Sequence, residues 1–224
     1  MLRVDGAQCS GSGTIVRTSV ALAALLGEPL EMFNVRAKRQ PPGLRPQHLR
    51  AVQAAAQVAG GRVEGAQVGA RELRFWPSGA LRGGRYQWDI GTAGSTTMLA
   101  LALLPLAAFA DGPTTFRIQG GLFQDMAPSA FHTQHALLPL LARMGIQAEL
   151  EVVRPGYVPK GGGIIEMRVQ PVRGRLRPLC LPEQRPPWRL WGLALSSHLR
   201  DRKVSERMAQ ECQKALARHG MEAA

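Results

Sequence analysis

The feature that most constrains this chain is an internal repetition. Two turns rich in small residues, Asp5-Gly6-Ala7-Gln8-Cys9-Ser10-Gly11-Ser12-Gly13-Thr14 and Asp89-Ile90-Gly91-Thr92-Ala93-Gly94-Ser95-Thr96-Thr97, each run directly into an apolar helical stretch. Asp89 follows Asp5 by 84 residues, Gln134 follows Gln47 by 87, and Gly145 follows Gly60 by 85. A period of this size, held at three points, marks a duplicated βαβα-type unit and excludes a short solenoid repeat. Two copies finish near Pro171. Residues 1–84 are expected to form the first copy, 85–172 the second, and 173–224 a linker with part of a small α/β insert.

In the first copy a short strand ends near Val4, and a helix runs from about Thr14 to Leu26 with Gly27 as its stop. Glu31 to Val35 is strand-like. The loop from Arg36 to His48 is polar, broken by prolines, and carries four basic residues. It leads into a helix from about Gln47 to Ala59, closed by Gly60-Gly61, and strand-like segments lie around 62–68 and 72–76. In the second copy the Ala/Leu-rich stretch Met98–Ala110 is predicted to be a buried helix. Thr114 to Ile118 is predicted as a strand, and a helix is expected from Gln134-His135 to near Gly145. The Arg/Pro-rich segment 173–187 is read as a connector, followed by a strand at 188–196 and a helix from about Val204 to His219.

The net charge of +12 points to a polyanionic partner, because Lys and Arg neutralise phosphates. Arg outnumbers Lys by 24 to 4, a bias that genome composition alone can produce, yet the planar guanidinium fork suits phosphate well. The first Gly/Ser turn, Asp5 to Thr14, has the chemistry of a phosphate cradle: glycine allows close backbone approach, and a helix N-terminus offers unpaired N–H groups. That signal is weak alone, since the stretch matches neither a P-loop nor a dinucleotide fingerprint. The apolar stretch Met98–Ala110 has 13 residues and contains Pro105, too few to span a bilayer, so no membrane association is expected. The three cysteines show no CxxC spacing and no leader segment is evident, so a reducing, cytoplasmic setting is the expectation.

Five stretches together resemble the RNA 3′-terminal phosphate cyclases. They are Asp5-Gly6-Ala7-Gln8, Val35-Arg36-Ala37-Lys38-Arg39, Pro42-Gly43-Leu44-Arg45-Pro46-Gln47-His48-Leu49, Gly91-Thr92-Ala93-Gly94-Ser95-Thr96, and Gly156-Tyr157-Val158-Pro159-Lys160-Gly161-Gly162-Gly163. The octapeptide is the most specific of them. The resemblance implies an α/β (α+β) fold of tandem βαβαββ repeats similar to the C-terminal domain of translation initiation factor 3, with a small α/β insert before a last repeat. It implies an ATP-dependent ligase-type reaction that converts an RNA 3′-phosphate into a 2′,3′-cyclic phosphate with a divalent metal, Mg or Mn. In that family a histidine takes AMP from ATP, AMP passes to the RNA 3′-phosphate, and the 2′-hydroxyl closes the ring and expels AMP. By position, Gln8, Arg17, Arg36, Arg39, Arg45, Gln47 and His48 match the ATP and phosphate site.

The chain also departs from that pattern. Ser10 stands where family members usually carry a glutamate suited to a hard divalent ion. Leu101 stands for a glutamine, Leu122 for the threonine of a Gly-Gly-Thr, and Phe131-His132 for an Asp-aromatic pair. The adenylylated histidine of the family belongs to the final repeat, and the chain is expected to stop inside the insert before it. No catalytic residue is therefore assigned among the five histidines. Three readings compete: a cyclase-type enzyme, a catalytically inactive relative that binds RNA ends or nucleotide, and a small-metabolite enzyme of the similarly built 3-phosphoshikimate carboxyvinyltransferases. The octapeptide and the positive charge argue against the third.

Overall fold

The structure, a computed structural model, describes residues 1–157, 159–183 and 190–222. Its contacts divide the chain into two units, Met1–Leu179 and Cys180–Ala224.

The first unit contains the duplication. Its first half runs β1 (Leu2–Asp5), α1 (Gly13–Leu26), β2 (Leu30–Phe33), α2 (Pro46–Val58), β3 (Arg62–Glu64) and β4 (Leu73–Trp76). The second half opens with β5 (Gly84–Asp89), α3 (Thr96–Ala108) and β6 (Thr114–Gly120). A compound helix follows, made of α4 (Ala130–His132), a π-helical turn (Thr133–Leu137) and α5 (Leu138–Met144), and then β7 (Ala148–Arg154) and β8 (Gly163–Val169). The two four-stranded sheets have the same order, β1-β2-β4-β3 and β5-β6-β8-β7, with a parallel first pair and antiparallel remainder. The likeness extends to single hydrogen bonds. Asp5 Oδ1 accepts the Ala7 N–H at 2.9 Å, and Asp89 Oδ1 accepts the Gly91 N–H at 2.7 Å. Both are Asx turns, in which a short carboxylate caps the chain reversal two residues on.

Local chemistry sets the helix ends. Ser12 and Ser95 cap α1 and α3 by accepting the N–H groups of Thr14 and Met98, and Gly27 closes α1 at φ +67°, a conformation that costs glycine nothing. The strand β5 was not anticipated from sequence. The compound helix starts at Ala130 instead of Gln134, because Ser129 Oγ accepts the His132 N–H at 3.0 Å and nucleates an earlier turn. Pro139 has no N–H to give, and just ahead of it the ladder slips to an i→i+5 bond from the Leu138 N–H to the Thr133 carbonyl.

Beyond β8 the chain stays docked on the second half: the Val172 N–H donates to the Ala108 carbonyl at 2.7 Å and the Arg177 N–H to the Met144 carbonyl at 2.9 Å. In the second unit, α6 (Val204–Ala217) matches expectation, and none of its residues is buried. The strand expected at 188–196 does not form among the described residues. Its first two positions lie outside them, and 191–196 have no strand partner, without which an extended apolar segment makes no ladder.

The core of the first unit is continuous across the duplication, with α1, α2 and α3 packed on one another. Trp88 is a joint between the halves. Its ring lies 5.4 Å from both Tyr86 and Phe116, and its Nε1–H donates to Gln57 Oε1 of α2 at 2.9 Å. Trp88→Ala is expected to cost about 3–5 kcal/mol of unfolding free energy by cavity formation, and Gln57→Leu about 1 kcal/mol, both read by urea denaturation.

Candidate functional site

Three helix N-termini face one cleft of about 880 Å³ in the first unit. The N-terminus of α1 contributes Ser12, Gly13 and Thr14, that of α2 Pro46, Gln47 and His48, and that of α3 Thr92, Ala93, Gly94 and Ser95. The positive dipole ends of the three helices favour an anion. Gln47 ties the halves together at this point, its Oε1 accepting the Ser95 N–H at 3.4 Å. The remaining wall comes from the loops that follow β2 and β6, the latter supplying Gln124 to Ala127.

Four arginines line the same cleft: Arg17 from α1 and Arg36, Arg39 and Arg45 from the loop after β2. Among the described residues none of the four forms an ion pair. Three of them are held by oxygen acceptors that carry no full charge. Arg36 Nη1 donates to the carbonyls of Pro41 at 3.0 Å and Gly43 at 2.8 Å, Arg39 Nε donates to the Ser10 carbonyl at 3.0 Å, and Arg17 reaches Thr14 Oγ1 at 3.4 Å. Lys38 Nζ donates to the Cys9 carbonyl at 3.2 Å, so the arginine loop and the first Gly/Ser turn are cross-linked. Burial, and then the neighbouring Arg36, lower the Arg17 pKa to about 10, which leaves it cationic at neutral pH. Burial followed by Arg45 and Arg39 also lowers that of Arg36. The one carboxylate among the described lining residues is Asp125. An anion entering here meets four guanidinium groups that no ion pair neutralises among the described residues, with Asp125 the one opposing charge in the lining.

Six of the seven residues singled out from sequence, Arg17, Arg36, Arg39, Arg45, Gln47 and His48, are thus brought to one place. Gln8 is not: it lies exposed in the turn after β1, outside the cleft lining. Thr92, Ser95 and Gln124–Ala127 were not anticipated as lining residues. The duplication carried the signal for the first two, since they fall in the counterpart of the Ser10–Thr14 turn.

His48 is not a cation in this cluster. It is 4% exposed, and burial, then the charges of Arg17, Arg36 and Arg45, lower its pKa to about 3. Its Nδ1 accepts the Arg45 N–H at 3.2 Å, which leaves the ring proton on Nε2. That edge packs against Gly13, where a Cβ would overlap the ring, so glycine is required at this close approach. His132 and His135 sit on the compound helix outside the cleft lining, and His198 and His219 belong to the second unit.

The titration of His48 has a stability consequence. The unfolded histidine protonates near pH 6.5 and the folded one only near 3, so the contribution is fully present above pH 6.5 and is lost as pH falls towards 3. Between pH 6.5 and 5 the chain is expected to lose up to about 1.4 kcal/mol per pH unit in urea denaturation, and His48→Gln to remove that slope.

A sequence-family profile for RNA 3′-terminal phosphate cyclase matches residues 8–216. Relatives bearing that name include one from Hyperthermus butylicus, 43% identical over 216 residues, covering 96% of this chain and 60% of the relative. One from Ectopseudomonas mendocina is 46% identical over 83% of this chain and 53% of its own length. One from Pyrococcus furiosus is 40% identical over 96% and 62%. A solved EPSP synthase from Acinetobacter baumannii overlays with a TM-score of 0.37 and 14% identity, over 77% of this chain and 48% of that one, too slight a likeness to bear on function. The chain spans about half to three fifths of the length of these curated relatives. The chain belongs to the RNA 3′-terminal phosphate cyclase family.

Proposed function

We propose that this chain is the phosphate-binding part of an ATP-dependent RNA 3′-terminal phosphate cyclase, and that the cleft holds the reacting phosphates of ATP and of the RNA 3′-end. The observation that carries this reading is the convergence of three helix N-termini and four uncompensated arginines on one space. Guanidinium forks bind phosphate oxygens bidentately, and the dipole ends of α1 and α3 add positive potential without adding mobility. The chemistry requires such a clamp. Adenylylation joins AMP to the 3′-phosphate as the α–β phosphoanhydride bond of ATP breaks and pyrophosphate leaves. The 2′-oxygen then attacks phosphorus, the 2′-hydroxyl proton is lost, and AMP departs with the electron pair of the bond that breaks. Developing charge on the phosphoryl oxygens is what positioned donors stabilise. A cytoplasmic setting fits these substrates.

The family's divalent metal does not fit the residues present here. Ser10 offers a hydroxyl in place of a carboxylate, Asp125 stands alone, and no group of three His, Cys, Asp or Glu side chains among the described residues could hold an ion. No step of the mechanism is therefore assigned to a protein-held metal. The nucleophile is a second point. His48, the only histidine in the cleft lining, already uses Nδ1 to accept a backbone N–H and presents Nε2 protonated, so it has no lone pair free to attack phosphorus. That observation favours, as a second reading for these residues by themselves, binding of RNA ends or nucleotide without adenylyl transfer.

The chain is expected to bind a 3′-phosphorylated RNA oligonucleotide more tightly than its 3′-hydroxyl counterpart. The double variant Arg39→Ala/Arg45→Ala should weaken binding of the phosphorylated form by about 10-fold or more, as the loss of charge-assisted hydrogen bonds requires. Equal binding of both RNA ends would refute the placement. With α-labelled ATP, intact mass should show no AMP adduct on this chain. An adduct would overturn the second reading and identify a histidine here as nucleophile.

A further inference from the structure

Beside the cleft, four rings stand in one ladder. Tyr157 lies 5.3 Å from Phe123 at 26°, Phe123 lies 5.5 Å from Phe131 at 29°, and Phe131 lies 6.3 Å from His135 at 17°. The three aromatics come from three places, the loop after β6, the first turn of the compound helix, and the turn after β7, so no helical or strand period brings them together. The core of the second half does not need them. Phe116, Ile118, Leu122 and Ile165 fill that core and are essentially buried, whereas Phe123, Phe131 and Tyr157 each keep part of their surface in solvent. Phe123 packs against the core and anchors the ladder, with Tyr157 at one end and Phe131 followed by His135 at the other.

The ladder is joined to the cleft wall by the backbone. Gln124 to Ala127 line the cleft, Phe123 directly precedes them, and Phe131 follows the Ser129 cap of the same connection. The Leu122 N–H donates to the Gly156 carbonyl at 3.4 Å, which sets Tyr157 beside Phe123. The Gly161 N–H donates to the Tyr157 carbonyl at 2.7 Å and closes a turn that carries exposed Lys160. Gly161 in turn abuts Ala93, a cleft residue, so closely that a Cβ there would meet its Cα. Partly exposed parallel rings, with a cation on the adjoining turn and a phosphate-suited cleft on the other side, have the make-up of a single-strand nucleic-acid track: flat apolar faces for bases and positive charge for the backbone.

We propose that the two ends of this ladder, Tyr157 on one side and Phe131 with His135 on the other, stack unpaired bases of the RNA just before its 3′-terminal nucleotide, while the cleft holds the terminal phosphate. The inference rests on the reading of the cleft as the RNA-end site. It adds a length and strandedness requirement to that site: an end with unpaired final nucleotides binds well, and one paired to its last base binds poorly.

The test uses the whole chain, Phe131→Leu and Tyr157→Leu, with two probes, a 3′-phosphorylated RNA hexamer and a nucleoside 3′-monophosphate. Each variant is expected to lose about 5- to 100-fold in affinity for the hexamer, the range that base stacking supplies, with monophosphate binding unchanged. Unchanged monophosphate binding also serves as the check that the variant is folded, and Phe131→Trp, which keeps a π-face, should retain hexamer affinity. Hexamer affinity equal to wild type in both leucine variants would overturn the ladder as a base platform. If wild type fails to distinguish 3′-phosphate from 3′-hydroxyl hexamers, the cleft reading fails and the ladder proposal falls with it. If only the leucine variants behave as wild type while Arg39→Ala/Arg45→Ala loses that distinction, the cleft reading stands and the ladder proposal alone fails.

Discussion

Four guanidinium groups around one cleft repel one another, and among the described residues none of them is paired with a carboxylate. The restraint is made of oxygens that carry no full charge. Carbonyls of Pro41 and Gly43 fix Arg36, the carbonyl of Ser10 fixes Arg39, and burial fixes Arg17. A carboxylate partner would neutralise the cluster and compete with the ligand. Carbonyls orient the forks and leave their charge available. Burial first, and then the neighbouring positive charges, lower the pKa values of Arg17, Arg36 and His48, and a bound anion would oppose the part that the charges cause.

The duplication is what makes such a cleft possible. Each half ends its parallel strand pair in two loops, and each places a helix N-terminus at the end of its first loop. Packing of α1, α2 and α3 on one another sets those N-termini together, and Gln47 and Trp88 fix the spacing by bonds between the halves. Neither half has the site alone. The first half brings the arginines, and the second brings the Ser95 turn and the Gln124–Ala127 wall.

Much of this was legible in the sequence, for physical reasons that differ from residue to residue. Asp5 and Asp89, Ser12 and Ser95, and Gly27 announce turns and helix ends because capping depends on local chemistry. Arg45-Pro46-Gln47-His48 could be placed because proline at a helix start leaves few conformations. Gln8 was grouped with the site because Asp5-Gly6-Ala7-Gln8 matches the family pattern, and such a match does not say which side of a turn a side chain takes. The start of the compound helix at Ala130 was hidden because the Ser129 cap competes with a later polar start at Gln134. The Tyr157–Phe123–Phe131 ladder carries no periodic signal, since tertiary pairing of β6, β7 and β8 assembles it. The expected strand near Trp191 had suitable residue types and no partner to pair with among the described residues.

A crystal structure of this chain soaked with ATP tests the central claim most directly. The account predicts phosphate density in the cleft, within hydrogen-bond distance of at least two of Arg17, Arg36, Arg39 and Arg45, with the backbone N–H groups at the start of α1 or α3 as further donors. Nucleotide bound elsewhere, or a cleft in which these arginines turn away to pair with carboxylates, would contradict it.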